Sequence, residues 1–333
     1  MRILLGLLLT VSLLAPATRA RAAAPDGLGG FIDHMHADYG FDAGELERLF
    51  AGVQRSDRII ELMSRPAEKV KPWWEYRALF ISDQRIAGGA AFWRTHANAL
   101  QRAAAEYGVA PEVIVAIIGV ETSYGRIIGN YRVIDALYTL SFHYPGGNEA
   151  RQRFFRAQLE HFLLFAREEG GDPYAYKGSY AGAMGMPQFM PENYRKLAVD
   201  FDADGQRNIW DDADDAIGSI ANYLAHHGWA RGKPVMSPAR VDAAVAASYV
   251  QDALKPEYTL GELVAAGVVP QRELHLAADA AAALYGLEAR DGEEYWLGFD
   301  NFYVISRYNP RLKYAMAVAQ LAEAIRDRYT GAE

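Results

Sequence analysis

The segment from Pro111 to Arg126 limits what this chain can fold into more than any other part of the sequence. It reads PEVIVAIIGVETSYGR, and every residue from Val113 to Val120 is apolar or glycine. A helix without a polar face must be buried on all sides, and proline commonly occupies the first helical position. We therefore predict a buried helix that begins at Pro111, carries Glu121 near its end and stops at Gly125.

Glu121 follows the apolar run directly and is the candidate catalytic residue. A carboxyl group at the end of such a helix loses part of its hydration, which disfavours the charged form and raises the pKa. A general acid that works near neutral pH needs a raised pKa of this kind. The alternative is a simple ion pair between Glu121 and Arg126.

The composition of the chain excludes several classes of function. Its 333 residues are 51% hydrophobic and 23% charged, which suits one large core or a few packed subdomains. A net charge of −8 without a basic run argues against nucleic acid as a ligand. The 20 tyrosines, 14 phenylalanines and 6 tryptophans suit stacking on the apolar faces of sugars, although most such rings pack in cores.

The first 22 residues have the pattern of a secretory signal. Met1–Arg2 precedes the apolar run Ile3–Leu14, which is too short to span a membrane, and Ala20-Arg21-Ala22 fits a cleavage site. The sequence contains no cysteine, which excludes disulfides, a cysteine nucleophile and a lipidated cysteine anchor. We expect an exported, soluble, non-lipidated protein without a membrane span.

Helical periodicity dominates the chain outside one segment. Residues 28–108 have a helical pattern, except that KPWWEYR is predicted to be an aromatic loop. There Tyr76 either anchors the core or faces a ligand. Further apolar periodicity predicts helices over Val133–Phe142 and Glu149–Glu169.

The pattern changes between about Gly232 and Phe302. Runs such as Arg240–Val250 are predicted to be extended, and Asp291-Gly292 is a hairpin signal. The fold class expected is therefore α+β and predominantly helical, with a small inserted domain that contains β-strands.

The loop DFDADGQRNIWD indicates a metal site. It begins with Asp200, Asp202, Asp204 and Gly205, the D-x-D-x-D-G opening of an EF-hand calcium loop, in which Gln206 would offer its backbone carbonyl. The closing glutamate of such a loop is absent. Asp211 at position twelve or Asp215 in a lengthened loop could close it. Because the loop lies far from Glu121 in sequence, we expect the metal to be structural.

Several motifs, in the same order, resemble the membrane-bound lytic transglycosylase B (MltB) family of bacterial murein-degrading enzymes. They are GVETSYGRIIGNYRVIDALYTLSFHYP, KGSYAGAMGMPQFMP, the acidic loop, AIGSIANYLAHHGW and FYVISRYNPRLKYAMAV. The resemblance extends over nearly the whole mature chain. It implies a lysozyme-like catalytic core at 109–231, a helical domain at 28–108, a small β-containing domain at 232–302, and a segment at 303–333 that returns to the core or helical domain.

The resemblance also implies which residues form the site. The single catalytic acid of the family falls on Glu121. Its calcium ligands fall on Asp200, Asp202, Asp204, the Gln206 carbonyl and Asp215. The positions that line its substrate groove fall on Tyr76, Ser179, Gln188, Tyr223, Tyr308, Asn309 and Tyr314.

The sequence departs from the family at one pair of positions. Some members carry two arginines, proposed to hold the peptide stem, where this chain has Gly146 and Gly147. Recognition of the peptide stem is therefore left open. Many members are also lipoproteins, whereas this sequence has no cysteine to modify.

Together these expectations define a function. The chain would cleave the β-1,4 bond between N-acetylmuramic acid and N-acetylglucosamine in peptidoglycan, without hydrolysis, and leave 1,6-anhydromuramic acid ends. It would act in the periplasm, with calcium as its only cofactor. Its partners would be glycan strands and candidate cell-wall synthesis or division proteins. The alternatives are a lysozyme-like muramidase that hydrolyses this bond and a non-catalytic glycan-binding protein. The sequence leaves open whether cutting is endo or exo, and the oligomeric state.

Overall fold

The structure, a computed structural model, describes residues 27–64 and 71–331. The signal peptide predicted at residues 1–22 lies outside this part of the chain. The described residues form fifteen α-helices, one short 3₁₀ helix and seven β-strands. The chain divides after Gly52 into two compact units, and each is described by itself.

The helices have the following bounds: α1 (Gly27–Tyr39), α2 (Ala43–Ala51), α3 (Asp57–Ser64), α4 (Trp73–Phe80), α5 (Asp83–Thr95), α6 (Ala97–Tyr107), α7 (Pro111–Thr122), α8 (Val133–Phe142), α9 (Glu149–Glu168), α10 (Pro191–Leu197), α11 (Ala213–His226), α12 (Ala243–Tyr249), α13 (Leu260–Ala265), α14 (Asp300–Tyr308) and α15 (Leu312–Thr330). The 3₁₀ helix covers Pro145–Gly147. The strands are β1 (Tyr131–Arg132), β2 (Lys177–Gly178), β3 (Met236–Arg240), β4 (Tyr258–Thr259), β5 (Val269–Pro270), β6 (Ala281–Ala289) and β7 (Gly292–Gly298).

The first unit contains α1 and α2. The side chain of Asp42 accepts a hydrogen bond from the Glu45 N–H at 2.8 Å and so caps the start of α2. Phe31 on α1 packs edge-to-face against Phe50 on α2, with 6.0 Å between the ring centroids. Aromatic pairs prefer this geometry over face-to-face stacking.

The core of the second unit is built around α7. Residues Val113–Gly119 are all buried, as their apolar run predicts, and the helix begins with Pro111 at its first position. The helix packs against α5, α6, α11 and α15, which cover it on several sides. The carboxyl end of this buried helix therefore has a fixed position relative to those four helices.

One antiparallel sheet has the strand order β4-β6-β7-β3-β5. β6 and β7 form a hairpin in which Ala289 pairs with Gly292, and Gly292 has a φ of 107° that favours glycine. The predicted hairpin at Asp291-Gly292 is thus confirmed. A hydrophobic cluster that includes Leu263, Leu284 and Leu297 packs on the sheet. The predominantly helical α+β class is confirmed.

Two local predictions were wrong. The segment Arg240–Val250 was predicted to be extended, but Ala243–Tyr249 is the helix α12. Its many alanines are strong helix formers, and Asp242 precedes them at the N-cap position. The aromatic loop KPWWEYR is the beginning of helix α4, which starts directly after Pro72. Proline is well tolerated at such a helix start because its missing N–H is not needed there.

None of the described helices is, taken singly, long and apolar enough to cross a membrane. The bent pair formed by α6 and α7 passes that test by length and composition, with 116° between the two helices. Since α7 is almost wholly buried, its apolar composition is accounted for by the protein core.

Candidate active site

The chain takes an unusual path directly after the buried helix. α7 ends at Thr122, three residues before the predicted stop at Gly125. Ser123, Tyr124 and Gly125 have φ values of 52°, 65° and 78°. A positive φ is uncommon for residues other than glycine, and strained backbone of this kind clusters at functional sites.

Tertiary contacts hold this left-handed turn in place. The Tyr124 hydroxyl donates a hydrogen bond to the Arg85 carbonyl at 2.7 Å, and the Arg85 guanidinium donates to the Gly119 carbonyl. The Tyr124 ring lies against Gly89 and Gly119, where an added Cβ would come within 2.7 Å of the tyrosine hydroxyl. Only residues without a side chain fit at these two positions.

Glu121 lies in the last turn of α7, and its side chain forms a hydrogen bond with Tyr314 on α15. The Tyr314 hydroxyl donates to Glu121 Oε1 at 2.6 Å. Burial raises the pKa of Glu121 to about 7, and the hydrogen bond from Tyr314 opposes this rise. The alternative ion pair is not formed: Arg126 has no effect on the pKa of Glu121, and Arg126 Nε donates to the Ser123 carbonyl at 3.0 Å.

The tyrosine that contacts Glu121 remains a hydrogen-bond donor. Burial and the nearby Glu121 carboxylate hold the pKa of Tyr314 well above its ordinary value. Burial, followed by the charge of Glu121, does the same to the pKa of Tyr308. The pKa of Tyr76 is raised by burial, lowered by Arg311 and raised by Glu121. Three of the predicted groove tyrosines therefore surround the Glu121 carboxyl group.

Tyr223 and Tyr308 are held by the protein backbone. The Tyr308 hydroxyl donates to the Pro187 carbonyl and the Tyr223 hydroxyl donates to the Arg307 carbonyl, each at 2.6 Å. Their ring centroids lie 4.8 Å apart. Because both hydroxyl groups donate to backbone carbonyls, only the rings of Tyr223 and Tyr308 remain to contact a ligand. Asn309 follows α14 and is half-buried.

The side chains of Ser179 and Gln188 are each held by hydrogen bonds to nearby backbone groups, and each keeps one polar atom for a ligand. Ser179 Oγ accepts hydrogen bonds from the N–H groups of Ala181 and Ala183, at 3.3 and 3.0 Å. Its own proton is left to donate. Gln188 Nε2 donates to the carbonyls of Ile128 and Gly185, at 3.1 and 3.0 Å, which leaves its Oε1 to accept.

The glycine-rich segment 177–190 packs closely on the chain that follows Glu121. A Cβ at Gly129 would lie 2.1 Å from the Gly178 carbonyl oxygen, so these two stretches of backbone touch directly. The Thr122 hydroxyl donates to the Met186 carbonyl at 3.0 Å. These contacts bring the Ser179 and Gln188 segment to the end of α7.

No second carboxyl group among the described residues lies near enough to Glu121 to alter its pKa. Asp135, the closest acid in sequence on the downstream helix, accepts two hydrogen bonds from Arg132, at 2.7 and 3.0 Å. It also accepts one from the Gln54 N–H at 2.9 Å. Its carboxylate is used in holding the chain together.

The predicted metal loop places its first three carboxylates together. Each of Asp200, Asp202 and Asp204 has an oxygen within 4.8 Å of the others. Asp200 accepts hydrogen bonds from the N–H groups of Asp204 and Gly205, at 3.1 and 2.9 Å, and Gly205 has a φ of 92°. Converging carboxylate oxygens on a tight turn fit a hard divalent cation such as calcium.

Asp215, at the start of α11, holds both ends of this loop through its backbone. Its two oxygens accept hydrogen bonds from the N–H groups of Phe201 and Asn208, each at 2.6 Å. The side chain is 1% exposed, whereas Asp211 is exposed. Each carboxylate oxygen has a second lone pair that remains for a metal. Between the two candidates for the closing acid, burial and position favour Asp215.

The metal loop also contacts the glycine-rich segment. The Met186 N–H donates to the Ile209 carbonyl, and Trp210 Nε1 donates to the Lys177 carbonyl, each at 2.8 Å. A Cβ at Gly185 would lie 2.5 Å from the Ile209 carbonyl oxygen. The candidate metal site and the glycine-rich segment are therefore neighbours. Through that segment the metal loop lies close to the end of α7, although it is distant from Glu121 in sequence.

Sequence reasoning missed several residues of this site. Arg85 and Thr122 act through hydrogen bonds to backbone carbonyls, for which no spacing pattern exists. Arg311, whose charge acts on Tyr76, precedes α15 by one residue. Arg311 could have been found from the sequence, because it lies between Asn309 and Tyr314, two residues that were predicted to line the groove.

Comparison with known proteins identifies the class. The family described as the Transglycosylase SLT domain matches residues 25–323, and the chain belongs to this family. It is 44% identical over 304 residues to membrane-bound lytic murein transglycosylase B of Escherichia coli strain K12, and the alignment covers 89% of this chain and 81% of that protein.

Solved structures with the same fold agree with this assignment. The soluble lytic transglycosylase SltB1 from Pseudomonas aeruginosa matches with a TM-score of 0.85 and 51% identity, over 91% of this chain and 99% of that one. The E. coli lytic transglycosylase Slt35 in complex with calcium matches at 0.81 and 43%, over 90% and 92%. SltB3 from P. aeruginosa in complex with NAG-anhNAM-pentapeptide matches at 0.77 and 31%, over 91% and 78%.

Proposed function

We propose that this chain is a peptidoglycan lytic transglycosylase. It cleaves the β-1,4 bond between N-acetylmuramic acid and N-acetylglucosamine and leaves 1,6-anhydromuramic acid ends. The observation that carries the proposal is a Glu121 carboxyl group with a pKa of about 7 and no second carboxylate beside it in the described part of the chain. Its membership of a transglycosylase family supports the same reaction.

Glu121 acts first as the general acid. With its pKa near 7, a large share of the carboxyl groups is protonated at neutral pH and can donate to the leaving glycosidic oxygen. Tyr314 donates to Oε1 and so orients the carboxyl group. As the C1–O bond breaks, the carboxylate that forms gains the full strength of this charge-assisted hydrogen bond.

The nucleophile comes from the substrate. Two-carboxylate glycosidases need a second acid, either to activate water or to attack the sugar. Here the muramyl C6 hydroxyl attacks C1 while Glu121 takes the hydroxyl proton back. One C–O bond breaks, one forms, and no water is consumed. Since O6 is tethered to the reacting sugar, it gains an effective molarity that water lacks.

Ser179 and Gln188 position the sugar in this proposal. The Ser179 proton is left to donate, and Gln188 Oε1 is left to accept, because their remaining polar atoms are bound by backbone groups. A donor and an acceptor on one rigid segment suit an N-acetylated sugar, which offers both functions. Tyr76 and Asn309 complete the groove near Glu121, with the rings of Tyr223 and Tyr308 as its wall.

The acidic loop holds calcium in this proposal. Asp200, Asp202, Asp204, the Gln206 carbonyl and Asp215 would be the ligands, and the converging carboxylates of the first three support their part of the set. A bound ion supplies charge neutralisation that keeps the loop in one conformation. The calcium complex of Slt35 supports the choice of metal.

The setting of the reaction follows from the substrate. We place the enzyme in the periplasm, where peptidoglycan lies, and take glycan strands as its partner. Proteins of cell-wall synthesis or division are candidate further partners.

Mass spectrometry of the soluble products from purified sacculi tests the reaction. We expect products that end in 1,6-anhydromuramic acid and weigh one water less than hydrolysis products. Glu121→Gln keeps the shape of the side chain but cannot donate the proton, so activity should fall by roughly 10²- to 10⁴-fold. Reducing-end muramic acid as the main product would instead establish a muramidase. Sacculi that are bound but never cut by the wild type would establish a glycan-binding protein.

A further inference from the structure

A cavity of about 460 Å³ lies between helix α4, the β6–β7 hairpin and helix α15. It has no part in the reaction described above. We call it the tryptophan cavity and define it by its lining residues Trp73, Trp74, Arg77, Arg272, Arg290, Glu294, Trp296, Gln320, Glu323 and Asp327.

Two indole rings of this cavity are fixed by one carboxylate. Trp73 Nε1 and Trp296 Nε1 both donate to Glu294 Oε1, at 2.6 and 3.1 Å. Trp73 is 1% exposed, and Trp296 is half-buried. The second oxygen of Glu294 is left to accept from a ligand. The wall of the cavity is therefore rigid, and its polar group has a defined direction.

A third indole ring is exposed beside these two. Trp74 is 36% exposed, and the Arg290 guanidinium lies 5.2 Å from the centroid of its ring. Covering such a ring with a ligand is favourable, and a group of aromatic rings rimmed by polar residues, as Trp73, Trp74 and Trp296 form here, is typical of an interaction site. Arg77 adds a guanidinium that Gln320 Oε1 orients through a hydrogen bond of 2.6 Å.

The charges of the cavity favour a neutral ligand. Three arginines and three acids line it, so the formal charges cancel. One pair among them, Arg272 and Glu323, forms a bidentate ion pair. A polyanion or an anionic membrane surface would need an excess of cations. A ligand with apolar C–H faces and many hydroxyl or amide groups matches flat rings flanked by carboxylates and guanidiniums.

The cavity is separate from Glu121 but shares two helices with it. Trp73 stacks on Tyr76, with 6.2 Å between centroids and 29° between planes, and Tyr76 is the residue of α4 that faces the Glu121 charge. On α15, Gln320 and Asp327 follow Tyr314 by six and thirteen residues, which is about 9 and 20 Å along the helix axis. A sugar in the cavity would thus lie several sugar units away from the reacting carboxyl group along a glycan strand.

We propose that the tryptophan cavity is a second glycan-binding site, which takes a neutral N-acetylhexosamine unit of the peptidoglycan strand. This inference rests on the proposed function for its substrate class. Its role is to retain the enzyme on the glycan, and Trp74, Glu294 and Arg290 are the contact residues.

Calorimetric titration of the full chain carrying Glu121→Gln tests this second site. The probe is the N-acetylglucosamine disaccharide, which is too short to occupy both sites at once and has no peptide and no lactyl group. We expect two binding sites per chain, and one after the further change Trp74→Ala. Leu79→Ala is the matched control, because Leu79 is 52% exposed on the same helix but does not line the cavity. It should retain both sites.

A second variant and a second ligand complete the test. Arg290→Ala alters only an exposed hairpin residue and should weaken the second site by roughly threefold to tenfold. One site in all variants would overturn the second site while leaving the proposed function intact. Binding of the free stem peptide, but not the disaccharide, at the Trp74-dependent site would also overturn it. Failure of the wild type to digest sacculi would instead count against the proposed function, whatever the number of sites.

Discussion

Replacing Glu121 with glutamine should stabilise the folded protein, and more strongly at high pH than at low pH. The folded-state pKa of Glu121 is about 7, above the ordinary value of 4.5. A group with a raised pKa contributes stability that is fully present below the unfolded-state pKa and is lost as pH rises through the folded-state pKa. The wild type should therefore lose stability between about pH 4.5 and pH 7, and the glutamine variant should not.

The size of the effect follows from the interval between the two pKa values. From 4.5 to about 7 is about 2.5 pH units, and at about 1.36 kcal/mol per unit this gives an upper bound of about 3 kcal/mol. The Glu121 side chain is partly exposed, and solvent screening reduces the figure. We expect the variant to gain about 1–2 kcal/mol more over the wild type at pH 8.5 than at pH 4.

Urea unfolding of both proteins, followed by circular dichroism between pH 4 and pH 8.5, measures this difference. The comparison between two pH values removes any constant effect of the substitution itself. Glu168→Gln is the control of opposite sign, since its hydrogen bond with Arg195 holds the pKa of Glu168 below its ordinary value. That variant should lose stability at high pH, with the loss fading only below about pH 4.5.

A glutamine variant whose stability difference from the wild type is the same at pH 4 and pH 8.5 would refute the reasoning. It would mean that Glu121 is ionised in the folded protein at ordinary pH. The carboxyl group could then not serve as the general acid in the manner proposed.

Three further predictions concern the acid, the metal and the peptide stem. Tyr314→Phe removes a hydrogen bond that lowers the pKa of Glu121. The alkaline limb of the pH profile of kcat/KM, expected near pH 7 in the wild type, should therefore move up by about one to two pH units. A limb that does not move would contradict this. Excess calcium should raise the Tm relative to a chelator, and Asp202→Ala should abolish the difference; equal Tm values in the wild type would exclude the metal. Because Gly146 and Gly147 offer no cation to a peptide stem, glycan strands with and without peptides should be cut at rates that differ by less than about tenfold, or about 1.4 kcal/mol. A stronger preference for peptide-bearing strands, measured with purified glycans, would contradict this.

The sequence predicted those helices whose own residues determine them. Val133–Phe142 has the bounds that its apolar periodicity indicates, and the helix predicted at 149–169 differs by one residue. α7 is predicted well because eight consecutive residues without a polar side chain allow no exposed face. In these segments local pattern and tertiary packing agree, so the pattern suffices.

The wrong predictions arose where two patterns compete. RVDAAVAASYV contains three β-branched valines, which favour a strand, but its alanines and Asp242 before them favour a helix, which is what forms. Similarly, the adjacent tryptophans of α4 resemble a loop cluster. They instead begin a helix directly after Pro72, in which Trp73 is buried and Trp74 is exposed.

The geometry of the site could be predicted only in part. Glu121 was identified because its environment is local, whereas its partner Tyr314 lies 193 residues away and is brought close only by the packing of α15 on α7. The left-handed turn at Ser123 and Tyr124 is closed by local hydrogen bonds, from the N–H groups of Ser123 and Tyr124 to the carbonyls of Gly119 and Ile118 at 3.2 Å each, but it also needs space from another helix. It depends on Gly89, on another helix, leaving room for the Tyr124 ring.

The metal loop lies closer to the candidate site than its sequence position suggests. We expected a structural metal because the acidic loop lies about 80 residues after Glu121, and that role stays a prediction. Yet the loop residue Ile209 accepts a hydrogen bond from Met186, and the Met186 carbonyl accepts one from Thr122, which adjoins Glu121. Gln188 lies two residues further along the same segment. These hydrogen bonds connect the metal loop to the segment that carries Gln188, so we expect an ion that fixes the loop to affect both the stability of the protein and the positioning of its substrate.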